Sequence, residues 1–149
     1  SPASARLFAP ATQVGGELLA RRWKKVRRRA RVLEAGRDAP AEALHALRIE
    51  CKKLRYASEF FAPLFRGKAA RRFARRLARL QDHLGQLNDA DTAERLGGAL
   101  LERLGEQAGA AEQRAAGFLA GHAAGAAEAR LDLLAEDWRR LARRGPFWA

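Results

Sequence analysis

The chain has no methionine, one tyrosine and one cysteine, and its 149 residues contain no apolar run approaching the length a bilayer span needs. The longest weakly polar stretch, Ala115 to Ala127, is too short and is built of glycine and alanine. With Cys51 alone, no internal disulfide can form, and the chain is indifferent to redox compartment. No charged-then-apolar leader opens the chain, so a cytoplasmic protein is expected. The start, Ser1-Pro2-Ala3-Ser4, lacks an initiator methionine and reads as a piece of a longer chain whose first ten residues are expected to be poorly ordered. Histidine is scarce, with three in all, and neither His83 nor His122 stands at metal-ligand spacing from another ligand. There is no HExxH and no glycine-rich phosphate loop. Acidic residues are also few. Seventeen Asp and Glu face 29 Lys and Arg, giving a net charge of +12 and a pI near 11.3.

Such a balance calls for an anionic partner: nucleic acid, an anionic membrane or a phosphate polymer. Most of the cations lie between Arg6 and Arg79, so the positive field is concentrated in the first half. The length suits one compact domain over residues 1–149.

Sustained alternation of β-branched residues is missing, while Ala, Leu, Arg and Glu abound, so the pattern is helical almost throughout. A first helix is expected from about Thr12, as N-cap, to Ala35, with Leu19, Trp23, Val26, Ala30 and Leu33 inward. A second is expected from about Ala41 to Phe65, with Pro63 either kinking or ending it. A third starts near Ala69 on Phe73, Leu77, Leu80, Leu84 and Leu87, then breaks or kinks at Leu87–Asp91, where Asn88, Asp89 or Asp91 can cap; Gln81, Asn88 and Asp89 are read as serving capping and inter-helix bonds. A further helical piece reaches Leu104, and a last helix spans about Ala110 to Arg143. Gly117, Gly121 and Gly125 recur every four residues in it, which predicts close approach of a neighbouring helix. Gly145-Pro146 stops it and lets Phe147 and Trp148 fold back. Trp23, Phe60, Phe61, Phe65 and Phe73 fit a core. Short connections then give an all-α, antiparallel up-and-down four-helix bundle with long helices.

The stretch His45 to Tyr56, HALRIECKKLRY, carries the most chemistry. At about 100° per residue, His45, Arg48, Lys52 and Arg55 form one stripe beside the apolar stripe of Leu44, Leu47, Cys51, Leu54 and Ser58. Like charges stacked along roughly 15 Å of helix repel, a cost that makes sense if a polyanion lies along them. Arg22, Lys25 and Arg29 repeat the construction on the first helix, and Arg72, Arg76, Arg79 and His83 on the third. Were those margins turned to one side, they would form one basic trough. An ordinary solvated face is the competing reading of any single row. Arg27, Arg31, Lys53, Arg71, Arg75, Arg139 and Arg140 point elsewhere and read as solubility or steering charges.

His45-x-x-Arg48-Ile49-x-x-Lys52-Lys53-x-Arg55-Tyr56, followed by Glu59-Phe60, resembles the histidine signature of the CHAD domain, the conserved histidine α-helical domain. Leu80-Gln81-Asp82-x-Leu84-Gly85-x-Leu87-Asn88-Asp89 is similar to that family's second motif, and Trp138-Arg139-Arg140 with Pro146-Phe147-Trp148 resembles its ending. The resemblance implies an all-helical binder of inorganic polyphosphate, with a triphosphate-tunnel enzyme as a neighbour or fusion partner and polyphosphate granules as a location. The full family domain has two related four-helix halves around a basic cavity. This chain resembles the second half only, which implies a missing N-terminal half-domain or a homodimer that rebuilds the arrangement.

Polyphosphate offers charge and no bases. Arg48 and Arg55 suit bidentate contact with phosphate oxygens, and Lys52 supplies a mobile point charge. His45 can donate one hydrogen bond to phosphate, or orient Tyr56, which is also a candidate core aromatic. Cys51 lies about 120° around the helix from His45, so no nucleophile–base pair forms there. The rows bring no carboxylates to hold Mg²⁺. The expected function is non-catalytic polyphosphate binding by Arg22, Lys25, Arg29, His45, Arg48, Lys52, Arg55, Tyr56, Arg72, Arg76 and Arg79, with no cofactor or metal. A helical nucleic-acid binder is the alternative, and a phosphate-polymer hydrolase or its accessory subunit stands behind both.

Overall fold

A computed structural model describes residues 10–65 and 67–149, with the side chain of Glu106 left aside. The expectation for the first ten residues lies, apart from Pro10, outside the described residues. Four α-helices follow one another: α1 (Ala11–Arg29), α2 (Ala41–Phe61), α3 (Ala69–Leu104) and α4 (Ala110–Arg144). No strand occurs among the described residues.

Several boundaries differ from the sequence reading, each for a local reason. Helix α1 starts one residue before Thr12, behind Pro10, whose fixed φ of −55° leads directly into the helix without a side-chain cap. It tightens at Ala30 into 3₁₀ turns (Ala30–Asp38) that reverse at Gly36, where φ is 56°. Helix α2 ends at Phe61, and Pro63 sits in a single 3₁₀ turn (Ala62–Leu64) that closes it. Helix α3 runs unbroken for 36 residues through the expected break at Leu87–Asp91. Its turn-forming Asn88 and Asp89 are simply carried on a helix held by packing on both sides of them.

Consecutive helices pack side by side, and α4 closes the ring against the 3₁₀ segment after α1. One end of the core is aromatic. Trp23 meets Phe73 edge-on at 5.7 Å and Trp138 at 5.4 Å, and Trp148 returns from the C-terminus to within 5.2 Å of Phe73. Phe147 inserts beside Phe65 and Phe73, both at 5.4 Å. The other end is aliphatic, with Leu33, Leu47, Leu84, Leu87 and Leu134 buried. Each such side chain contributes roughly 1.5–3 kcal/mol. Phe60 does not join them: it is 77% exposed, since α2 buries the face of Cys51, Leu54 and Ser58 instead.

Helices α3 and α4 are much longer than α1 (19 residues) and α2 (21 residues), so their distal halves continue as a two-helix hairpin past the bundle. Leu96, Leu100, Phe118 and Leu119 are exposed there. Gly117, Gly121 and Gly125 face open space, with no atom within 4 Å of a Cβ built on any of them, so the expected close helix does not approach. None of the described helices is long and apolar enough to cross a membrane.

Candidate functional site

Helix α2 begins after Pro40 and buries Leu47, Cys51, Leu54 and Ser58. That orientation leaves the His45 row along the seam with α3. Arg55 Nη1 donates to Gln81 Oε1 across the seam at 3.2 Å, while Arg55 Nε donates to Glu59 Oε1 at 2.9 Å. One turn from the start of α2, His45 and Arg48 line a cleft of about 170 Å³. Its far rim is Asn88, Asp91 and Glu94 of α3, and its floor is Leu44, Leu84, Leu87 and Leu131. Asp91 is already paired with Arg95 at 3.3 Å. The His45 end of the row therefore faces a mixed rim of cations and carboxylates. Tyr56 is 62% exposed and makes no hydrogen bond with His45, so it neither packs in the core nor is held by the imidazole. Burial pushes the Cys51 thiol up to about 12, with the nearby Glu50 carboxylate adding to the shift, so the group is an inert core filler.

The seam between α3 and α4 is different. Arg72, Arg75, Arg76 and Arg79 of α3 meet Asp137 and Arg140 of α4 around an open cleft of about 390 Å³. It continues into a second concavity formed by Arg76, Arg140, Arg143 and Arg144. The register explains the convergence. Arg72, Arg76 and Arg79 ride beside the buried Phe73, Leu77 and Leu80, and Arg140 and Arg144 ride beside the buried Leu141 on the antiparallel neighbour. The return of Phe147 and Trp148 onto Phe73 holds the last turn of α4 at that level. Among the described residues, no carboxylate lies within 4.0 Å of Arg72, Arg75, Arg76, Arg79, Arg143 or Arg144. The field leaves a trace on Arg76. Its guanidinium is shifted below its ordinary value by burial and then by repulsion from Arg144, Arg72 and Arg75. Arg140 is paired with Glu136 at 2.6 Å, an exposed contact of the kind worth only about 0–1 kcal/mol and readily exchanged for a stronger anion.

His83 was expected as the fourth member of the cationic row along the core margin of α3. It is buried instead, because α4 covers it. Its Nε2 lies 2.8 Å from Asp137 Oδ2, and Arg130 Nη1 lies 3.2 Å from its Nδ1. A guanidinium can only donate, so Nδ1 is the accepting nitrogen and Nε2–H donates to Asp137.

Neither of these two clefts gathers all three rows. The α2 row lies on the α2–α3 seam and the α3 row on the α3–α4 seam, and their clefts have no lining residue in common. Lys25 and Arg29 of α1 are exposed and Arg22 is half-buried, and none of the three lines either cleft. Conversely, Arg75 and Arg140, read as steering charges, belong to the arginine cleft, and Arg143, Arg144 and Asp137 were missed. A signal for Arg140 and Arg144 was present: they stand at i and i+4 beside Leu141, the same cation-beside-core construction found on the other helices. The distal hairpin carries the opposite sign, with seven Asp and Glu against three Arg between Asp89 and Glu128.

These features define an all-helical protein with a counterion-poor arginine cleft. The family model of the CHAD domain matches residues 1–98, more than half of the chain and inclusive of both the His45–Tyr56 and Leu80–Asp89 motifs. The chain belongs to the CHAD domain family. No curated protein and no solved structure matches it.

Proposed function

We propose that this domain binds inorganic polyphosphate without catalysis, in the arginine cleft between α3 and α4, with the α2 row as a second contact strip. The observation that carries this reading is the gathering of Arg72, Arg75, Arg76, Arg79 and Arg140 around one open cleft whose single described carboxylate, Asp137, is tied to His83. Guanidinium groups crowded without counter-charges relieve their repulsion by sharing an anion. The planar forks suit phosphate oxygens, and a repeating polymer can span the cleft and its continuation to Arg143 and Arg144. Family membership supports the ligand class. A triphosphate-tunnel enzyme as partner, and a place at cytoplasmic polyphosphate granules, follow from the same reading.

One observation favours a second reading, single-stranded nucleic acid. Tyr56 and Phe60 are exposed one turn apart on α2, beside Lys52 and Arg55, where bases could stack. Competition separates the two. Long-chain polyphosphate is expected to displace a labelled oligonucleotide at moderate salt, and Tyr56→Ala with Phe60→Ala is expected to leave polyphosphate affinity unchanged. An oligonucleotide that displaces polyphosphate, or a large loss on removing the two rings, would overturn the reading. Salt weakens both interactions and does not discriminate.

A further inference from the structure

The contacts around His83 carry a consequence for how the cleft is regulated. We infer that binding of polyanion in the arginine cleft is coupled to protonation of His83, through the His83–Asp137–Arg130 network between α3 and α4. The inference rests on the polyphosphate reading of the same cleft.

The geometry allows one proton arrangement. Arg130 donates to Nδ1 and Nε2–H donates to Asp137, so the ring, Arg130 and Asp137 together carry no net charge. Adding a proton changes both contacts. Nδ1 becomes a donor and turns an N–H toward the guanidinium of Arg130 at 3.2 Å, so that hydrogen bond is lost and two cations face each other. The Nε2–H···Asp137 bond becomes an ion pair and strengthens. The network then carries one extra positive charge, and Arg130 is released from the ring.

That charge is delivered to the binding site, because Asp137 lines the arginine cleft. Apart from Asp137 itself, the groups lining the cleft beside the network are cationic. On α3, Arg79 stands one turn before His83 and lines the cleft; on α4, Arg140 stands one turn after Asp137 and lines it as well. Beyond Arg130, Glu128 is paired with Arg37 of the 3₁₀ segment at 3.8 Å, which leaves it partly occupied. Among the described residues, no ionisable group of α1 or α2 lies within hydrogen-bond distance of the ring. These arginines and the added proton are like charges at one cleft wall. A phosphate polymer in the cleft offsets the added positive charge of the network, so ligand and proton bind cooperatively.

The test uses the whole chain and long-chain polyphosphate, whose internal phosphates stay ionised throughout. Affinity is measured by titration calorimetry at pH 7.5 and 5.5, in buffers of different ionisation enthalpy so that proton uptake is read directly. The expected result is roughly three- to tenfold tighter binding at pH 5.5, with net proton uptake. His83→Gln, checked for folding by circular dichroism, is expected to lose that gain, while His122→Gln, at an exposed position of the distal hairpin outside the clefts, keeps it. Arg130→Gln is a second variant that leaves the ring in place. It removes the guanidinium facing Nδ1 and is expected to move the pH dependence to higher pH. Imidazole nitrogen shifts in the free protein at neutral pH are expected to report the Nε2–H tautomer. Binding whose pH dependence is the same in His83→Gln, or an Nδ1–H tautomer, would overturn the inference and leave polyphosphate binding standing. No binding at either pH would remove both.

Discussion

His83 Nε2 donates a 2.8 Å hydrogen bond to Asp137 Oδ2, and Asp137 is the one carboxylate among the described residues that line the arginine cleft. The bond fixes that carboxylate at the wall, where it offsets part of the positive field. Asp137→Asn keeps an oxygen to accept from Nε2–H and removes the negative charge. Polyphosphate affinity at pH 7.5 is expected to rise about three- to tenfold, by the same electrostatic arithmetic as adding a cation. Thermal unfolding should drop modestly, because a charge-assisted bond becomes a neutral one. Unchanged or weaker binding would show that Asp137 does not face the ligand.

The two seams make separable claims. Arg76→Ala with Arg140→Ala removes guanidinium groups shared by both parts of the α3–α4 cleft and is expected to weaken polyphosphate binding by an order of magnitude or more. Arg48→Ala with Arg55→Ala is expected to cost less, since Arg55 is already engaged by Glu59 and Gln81. Arg27→Ala with Arg31→Ala, on exposed positions outside both clefts, is expected to change affinity about twofold at most. Anisotropy titrations at fixed salt compare the three. Equal losses would mean diffuse attraction and no defined cleft.

Cys51 gives a pH signature independent of any ligand. Its thiol is held near 12 in the fold against 9.0 when free, so the unfolded chain releases the proton first as pH rises. Stability from this group is intact below pH 9 and falls between 9 and about 12, by up to about 1.4 kcal/mol per pH unit. The urea midpoint at pH 10 relative to pH 8 should fall further in the native chain than in Cys51→Ala. A thiol reagent at pH 8 should react only after denaturation. Rapid labelling of the folded protein would contradict the burial of Cys51.

The glycines of the distal hairpin test whether their face is free. A Cβ at Gly117, Gly121 or Gly125 meets nothing within 4 Å, so replacement by alanine is expected to stabilise by about 0.5–1 kcal/mol each. Gly15 is the contrast. A Cβ there would come within 2.9 Å of the Phe61 ring, and Gly15→Ala is expected to gain nothing or to destabilise. Chemical denaturation of the four single variants decides it. Destabilisation by all three hairpin substitutions would mean that something covers that face.

Much of this protein was legible in the order of its residues. The apolar spacing of Leu19, Trp23 and Val26, of Leu47, Cys51 and Leu54, and of Phe73, Leu77, Leu80 and Leu84 set which faces are buried, because burial follows helical periodicity. The same spacing placed cations beside the core, and Gly145-Pro146 placed the stop that returns Phe147 and Trp148. The expected break at Asn88 was overruled by packing, which outweighs the few tenths of a kcal/mol at stake in local propensity.

What no single helix could specify was which neighbour each edge would meet. A wheel gives directions relative to its own axis and is silent on the rotation between axes. Only the assembled bundle put Arg140 and Arg144 opposite Arg72 and Arg76, separated the α2 row from the α3 row, and buried His83 against Asp137 and Arg130. Composition fixed that the molecule is basic and helical. Where that charge gathers was decided by contacts between residues about 50 or more positions apart, and these exist only once the core has closed.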